Sequence, residues 1–151
     1  MIPRKVCVCT DFSENSVPAR VLASELAKAF DGELLILHVV NSRFVGYPTF
    51  EDRLPVDLAL LQKNIEEGVK EELELLANDS SRVCDRVSAH YRVGDPAEEI
   101  TRFAEENSVE LLVMGTHGWT GIKHLILGSV AERVVRMARC PVLTVRSTLQ
   151  E

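Results

Sequence analysis

The sequence lacks a surplus of basic residues, and this absence argues against two classes of partner. It has 17 Lys and Arg against 23 Asp and Glu, so the formal net charge is −6 and the isoelectric point is near 5.3. Affinity for a nucleic-acid backbone or an anionic lipid surface comes from clustered Lys and Arg. The apolar runs are also short, and the one at residues 34–40 contains His38 and is far below the length of a membrane span. The sequence therefore predicts no nucleic-acid partner and no membrane association.

Cysteine and histidine are few and lack the spacing of functional pairs, which argues against redox chemistry and metal binding. The four cysteines show no C-x-x-C spacing, and no two of the four histidines have the spacing of metal ligands, so no metal site is predicted. Cys7 and Cys9 alternate with valines, which predicts that both lie on one face of a strand as small apolar residues. Free thiols, and an amino terminus without the apolar core of a signal peptide, predict a cytoplasmic protein.

Five short apolar segments rich in Val, Leu and Ile recur along the chain. They lack the alternation of half-exposed strands, so they are typical of strands buried on both faces of a parallel sheet. These segments are residues 5–10, 34–40, 87–93, 111–115 and 142–146. Helical patterns lie between them, so strands and helices alternate strictly. This order predicts an α/β fold of three layers, a doubly wound sheet of five parallel strands with helices on both faces.

The segments between the strands carry apolar residues at helical spacing. The first helix is predicted at residues 16–30, and the second has an apolar stripe from Leu61 to Leu76. Pro96 begins the third helix, and Pro141 follows the fourth. Residues 41–55 form the one long connection. With 151 residues and no repeat or linker, the chain is predicted to form a single domain, residues 1–151.

A glycine-rich loop follows the fourth predicted strand. Gly115 and Gly118 lie at the strand exit, and Gly128 and Ser129 open the last helix. In open parallel sheets, ligands bind at the carboxyl ends of the strands, where the strand order reverses. Glycines let several backbone N–H groups point toward one anion, and a helix start adds unpaired donors and partial positive charge. The loop therefore predicts a phosphate site. The alternative is that the glycines shape turns and that Ser129 caps its helix.

The spacing Gly-x-x-Gly-x9-Gly-Ser in this loop resembles the nucleotide signature of the universal stress protein family. Four further segments match in the same order, so the resemblance extends from residue 5 to residue 146: Thr-Asp-Phe-Ser-Glu at 10–14, Leu-His-Val at 37–39, Gly-Asp-Pro at 94–96 and Cys-Pro-Val-Leu-Thr-Val at 140–145. Cys9 departs from the proline that many members carry before Thr-Asp, which puts the shape of the adenine side of the pocket in doubt.

The resemblance implies a Rossmann-like fold of the adenine nucleotide alpha hydrolase-like type. It also implies membership of the family's ATP-binding branch, with ATP as ligand and Mg²⁺ as an optional companion ion. By match, the phosphates lie at Gly115, Gly118, Gly128 and Ser129. Asp11 and Val39 then lie at the ribose and the adenine. The remaining residues expected at the same edge of the sheet are Thr10, Gly94, Met114 and Val130.

Two of these residues have a second interpretation. The Asp11 carboxylate suits ribose hydroxyls, adenine or a Mg²⁺ ion, but a loop residue here can equally cap the following helix, as Ser13 can. Gly94 either lets the chain pass close to a ligand or forms an ordinary turn before a helix. The insert at residues 119–127 has the apolar spacing of a short helix.

Three functions of different class remain open. The leading hypothesis is a nucleotide-responsive stress or regulatory binding module, which the resemblance implies is a homodimer paired through residues 142–146. The second is a slow ATPase or autophosphorylating enzyme, and the third is a nucleotide-free dimeric scaffold. No catalytic residue is predicted, because the chain has no G-x-x-x-x-G-K-[ST] loop and no evident arginine finger.

Overall fold

The computed structural model describes residues 2–42, 58–116 and 127–147. Strands and helices alternate through these ranges, in the predicted order. The strands are β1 Lys5–Cys9, β2 Glu33–Asn41, β3 Val87–Gly94, β4 Leu111–Gly115 and β5 Val142–Val145. The helices are α1 Val17–Ala29, α2 Leu58–Ser80, α3 Pro96–Glu106 and α4 Ser129–Met137, and a single turn of 3-10 helix at Glu14–Ser16 leads into α1. Most of the predicted connection at 41–55 and of the insert at 119–127 lies outside the described residues.

The five strands form one parallel sheet in the order β3-β2-β1-β4-β5. The chain therefore moves outward from β1 to β3, returns to the other side of β1, and continues outward to β5. The strand order reverses between β1 and β4, where Cys9 is in register with Met114. This topology confirms the predicted doubly wound sheet and identifies the β1/β4 junction as the position where ligands of such sheets bind.

The core lies on both faces of the sheet. On one face, α3 and α4 cover β-strand residues that include Cys7, Leu37 and Leu112. On the opposite face, α1 and α2 cover residues that include Val8 and Ile36. Each of these five side chains is fully buried, and burying a large aliphatic one stabilises the fold by about 1.5–3 kcal/mol. Burial on both faces explains why the strands are continuously apolar rather than alternating.

Cys7 and Cys9 lie on the same face, as their spacing predicted. Cys7 is buried within the core under α3 and α4, and Cys9 packs against that core. Interaction with the Cys9 thiol, together with burial, raises the pKa of Cys7 well above its ordinary value. A thiol with a raised pKa is largely protonated at neutral pH and is a poor nucleophile. Among the described residues, no helix is long and apolar enough to cross a bilayer.

Candidate functional site

The carboxyl ends of β1 and β4 bring several of the predicted site residues to one edge. Thr10 follows β1, is buried, and donates from its backbone N to the Leu37 carbonyl at 2.9 Å. Met114 and Gly115 are the last two residues of β4, and Met114 is buried. Val39 lies near the end of β2 and packs on the core under α3 and α4. The structure thus gathers Thr10, Met114 and Gly115 at the reversal point, with Val39 on the adjacent strand.

Helix α4 begins beside the exit of β4. The Gly128 N–H donates to the carbonyl of Thr116 at 2.6 Å, which ties the helix start to the residue after Gly115. Ser129 is the exposed first residue of the helix, and the half-buried Val130 packs on the core. The other glycine of the predicted signature, Gly118, lies outside the described residues.

The interpretation of Ser129 as the cap of α4 is wrong, because Gly128 occupies the N-cap position. Gly128 has extended backbone angles (φ −69°, ψ 157°), and its carbonyl accepts the first bond of the helix from the Glu132 N–H at 2.9 Å. A Ser, Thr, Asp or Asn cap accepts a bond from an N–H of the first turn with its side chain. Glycine has no side chain to do so, and the partial positive charge of the helix start is therefore not offset by the cap residue.

The loop between β1 and α1 is organised by its own side chains. Asp11 accepts two bonds at Oδ1, from the Ser13 N–H at 3.0 Å and the Ser13 hydroxyl at 2.5 Å. Ser13, not Asp11, is the cap residue of the 3-10 turn at Glu14–Ser16. The interpretation of Asp11 as a helix cap is therefore wrong, and its carboxylate instead fixes the loop after β1.

Gly94 lies two strands from β1, on the strand next to the one that carries Val39. It ends the edge strand β3 and is in register with Asn41 of β2, so two strand spacings, about 10 Å, separate β3 from β1. A Cβ at Gly94 would lie 2.7 Å from Cγ of Glu99, in the helix that follows. This close packing agrees with a turn before the helix, and the ligand role of Gly94 stays a prediction.

Two aromatic side chains that the sequence reasoning missed lie at the same loop. The His38 Nδ1 donates to the Thr10 carbonyl at 2.8 Å, and the imidazole stacks on the Phe12 ring with centroids 4.2 Å apart. Burial lowers the pKa of His38, although the bond to the Thr10 carbonyl and the charge of Asp11 partly oppose that shift. The sequence did mark His38, since it is the one ionisable residue in the apolar run at 34–40.

An ion pair joins the start of α3 to the middle of α4. Asp95 caps α3 by accepting from the Glu98 N–H at 3.2 Å, and its other oxygen accepts from the Arg133 guanidinium at 2.9 Å. The bond to Arg133 is the main reason that the pKa of Asp95 lies below its ordinary value. Among residues 2–42, 58–116 and 127–147, no three His, Cys, Asp or Glu side chains are arranged to hold a metal ion.

Comparison with known proteins identifies the family. The model of the universal stress protein family matches residues 3–146. The chain belongs to this family. It is 36% identical over 149 residues to the universal stress protein MJ0531 of Methanocaldococcus jannaschii, covering 98% of this chain and 85% of that protein. It is also 36% identical over 145 residues to YxiE of Bacillus subtilis, covering 94% of this chain and 98% of the relative.

Solved structures of the family share the fold. The structure of MJ0577, a second M. jannaschii universal stress protein, superposes with a TM-score of 0.83 at 30% identity, over 99% of this chain and 100% of that one. Two more distant members are described as nucleotide complexes. One holds cAMP (TM-score 0.69, 24% identity, covering 98% of this chain and 100% of the other). The other, from Archaeoglobus fulgidus, holds dAMP (TM-score 0.65, 22% identity, covering 95% and 98%). At these identities, the two complexes establish the shared fold.

Proposed function

We propose that this universal stress protein binds ATP at the β1/β4 junction and acts as a nucleotide-responsive regulatory module. The observation that carries the proposal is the start of α4. A helix opens there on an N-cap glycine, bonded directly to the residue after the last strand residue Gly115, at the reversal point of the sheet. Backbone donors and partial positive charge then converge where an open parallel sheet binds its ligands.

The phosphates are assigned to this helix start because its chemistry suits an anion. The amides of the first turn have no intrahelical acceptor, and the cap residue Gly128 offers none. Ser129 is exposed beside them, and its hydroxyl is a further donor. Gly115 and Gly118 complete the phosphate loop in the proposal, as the family signature implies.

The nucleoside is assigned to the β1 side of the junction. Asp11 is held at the end of β1 by Ser13, so its carboxylate is positioned before any ligand arrives. Such a carboxylate accepts hydrogen bonds from ribose hydroxyls and is also suited to Mg²⁺. Val39 lies on the neighbouring strand, and the proposal gives its backbone to the adenine. The cAMP and dAMP of the two distant relatives are adenine nucleotides, which supports this ligand class.

Thermal unfolding with and without Mg²⁺-ATP tests the proposal. A ligand that binds only the folded state stabilises it by about 2.7 kcal/mol at 100 times its Kd, which is worth roughly 5–10 °C in a domain of this size. We expect that rise with ATP and a smaller one with GTP, which presents the same phosphates on a different base. The absence of any rise with ATP would refute the proposal. Nucleotide released on denaturing freshly purified protein gives an independent readout.

We also propose that two copies pair through β5. This strand has one neighbour, β4, among the described strands, and its four residues are only partly buried. The carbonyls of Pro141 and Val145 accept bonds from β4-side amides, so in this parallel ladder the Thr144 N–H points to the open edge. An edge strand with free amides favours pairing with a further strand.

The free thiols of all four cysteines support the proposed cytoplasmic location.

Light scattering on wild type and two Thr144 variants tests the pairing. We expect wild type to have twice the chain mass of 16.8 kDa. Thr144→Pro removes an outward N–H and should give monomer, whereas the matched control Thr144→Ala keeps that N–H and should remain a dimer. Monomeric wild type at high concentration would exclude the pairing.

A further inference from the structure

The loop after β1 contains a strained residue at the candidate site. Phe12 has a φ of 64°, in the left-handed region that residues with a Cβ rarely occupy. Strain of this kind persists only where the surroundings fix the conformation, and it is concentrated at functional sites.

Hydroxyl groups within the loop bond to its backbone and help to hold Phe12 in this conformation. The Phe12 N–H donates to Thr10 Oγ1 at 3.0 Å. The same Thr10 oxygen lies 3.0 Å from the Ser16 hydroxyl, which donates to the Ser13 carbonyl at 2.7 Å. These bonds close the loop onto itself, but all of them lie within residues 10–16 and none connects it to the sheet.

The backbone N–H of Thr10 bonds to the Leu37 carbonyl of β2, and His38 adds the side-chain connection between the loop and the sheet. Its imidazole lies on β2, one residue beyond Leu37, which is in register with Cys9 of β1. Its Nδ1 bonds to the Thr10 carbonyl at 2.8 Å, and its ring stacks on Phe12 with an interplanar angle of 30°. A carbonyl only accepts, so Nδ1 carries the proton. Because burial lowers the pKa of His38, the neutral ring with its single proton on Nδ1 is the main form at neutral pH.

The residues on either side of Asp11 both contact His38. Thr10 is fixed through its carbonyl by His38, Phe12 is fixed through its ring by the same imidazole, and Ser13 bonds directly to the carboxylate. Asp11 lies between residues that His38 restrains. The imidazole is therefore suited to set the direction of a carboxylate that it does not itself bond.

We propose that His38 and Phe12 are positioning residues, which aim the Asp11 carboxylate at the nucleoside end of the bound nucleotide. This inference rests on the proposed ATP site and deepens it. Without the imidazole, the Thr10 carbonyl loses its donor and the Phe12 ring loses its stacking partner. The strained turn then relaxes, and Asp11 must be ordered on binding at an entropic cost.

The test compares His38→Leu with His38→Asn in titrations of AMP and of ATP. Leucine removes the donor, whereas the asparagine Nδ2 donates from nearly the same place as the histidine Nδ1. We expect about a tenfold loss of affinity in His38→Leu and a substantial recovery in His38→Asn. The loss should be equal for AMP and ATP, because the affected contact lies at the nucleoside.

Two further measurements separate positioning from general destabilisation. Leu73→Ala removes a buried side chain of α2 on the same face of the sheet and serves as the control. It should lower the melting temperature and leave both affinities unchanged at a temperature where every variant is folded. In an Asp11→Asn background, His38→Leu should have little further effect, because both changes remove one function.

The outcomes distinguish the inference from the function on which it rests. Wild type that binds ATP while His38→Leu binds it equally well would overturn the inference and leave the function intact. Equal losses in His38→Leu and His38→Asn, or fully additive losses with Asp11→Asn, would also overturn it. Wild type that binds neither nucleotide would overturn both.

Discussion

The starts of α3 and α4 lie on the same face of the sheet and differ in their N-cap residues and in the charge of their first turns. At α3, Asp95 occupies the N-cap, Pro96 is the first helical residue, and Glu98 and Glu99 fill the first turn. At α4 the cap is Gly128, and Glu132 is the only acidic residue of the first turn. The α3 start is therefore neutralised by its own sequence, whereas the α4 start keeps its partial positive charge.

This difference shows which helix start is available to a ligand. A ligand at α3 would have to displace the Asp95 carboxylate from the Glu98 N–H and meet two more carboxylates. At α4 the cap residue presents no such competitor. The position in the sheet agrees, because α4 follows β4 at the reversal point and α3 follows the edge strand β3. The difference between the two helix starts leads to four predictions.

Gly128→Asp should have the largest effect, because it gives α4 the cap that α3 already has. The extended angles of Gly128 are compatible with aspartate, whose carboxylate would bond to the first-turn amides and repel phosphate. We expect a loss of ATP affinity on the order of 100-fold, measured by calorimetric titration. Stability without ligand should change by only a few tenths of a kcal/mol.

The control for this prediction is Gly128→Ala, which adds a Cβ but no acceptor. Its loss of affinity should be much smaller than that of the aspartate variant. If both variants lose affinity equally, the glycine is needed for space rather than for open amides. If Gly128→Asp binds ATP normally, the phosphates do not lie at α4.

Asp95→Ala should have the next effect, on stability rather than on binding. Losing the cap of α3 should lower the free energy of unfolding by about 1 kcal/mol in urea titrations. ATP affinity should stay within about twofold of wild type, since Asp95 contacts α4 at Arg133, the fifth residue of the helix, and not at the amides of its first turn. A large loss of ATP affinity would show that the α3 start belongs to the site.

The stability difference between wild type and Asp95→Ala should also depend on pH. Arg133 and the helix amides hold the pKa of Asp95 below its ordinary value, so the native state binds its proton more weakly than the unfolded chain does. The stabilisation is therefore fully present above about pH 4, near the unfolded pKa, and is lost as pH falls through the folded pKa. The stability difference between wild type and Asp95→Ala should shrink over that acidic range.

Arg133→Gln should have the smallest effect. The guanidinium is bonded to Asp95, but the two side chains are 45% and 25% exposed, so solvent screens the pair. We expect a loss of stability smaller than that of Asp95→Ala, measured in urea and abolished in 1 M salt. A loss as large as that of Asp95→Ala would mean that the ion pair with Arg133, rather than the bond from the Glu98 N–H to Asp95, stabilises the start of α3.

Most of the fold could be predicted from the sequence because its determinants are local. Strands buried on both faces need continuous apolar runs, and the run at 111–115 coincides with β4. The first helix was predicted at 16–30 and occupies Val17–Ala29. The second extends beyond its apolar stripe, to Leu58–Ser80, because polar residues continue a helix without marking a buried face.

The candidate site was less accessible to sequence reasoning because its details depend on contacts between distant segments. Gly128 and Ser129 are both acceptable caps, and only the backbone angles distinguish them. The contact of His38 with Thr10 joins residues 28 positions apart and follows from the register of β1 and β2. Gly94 has a local motif that matches the family, yet the strand order takes it to the edge of the sheet.

The strand order also has a consequence for synthesis of the chain. The central strand β1 is made first, and its residue Val6 pairs with Leu34 on one side and with Leu111 on the other. A nascent chain that has emerged only as far as β3 thus leaves the backbone N–H and C=O groups along one edge of β1 unpaired, and α3 and α4 do not yet cover the apolar face of the sheet. Contacts so distant in sequence form slowly, and both exposed apolar surface and unpaired strand edges favour aggregation. We expect incomplete chains of this protein to be ready substrates for a holdase chaperone until β4 emerges.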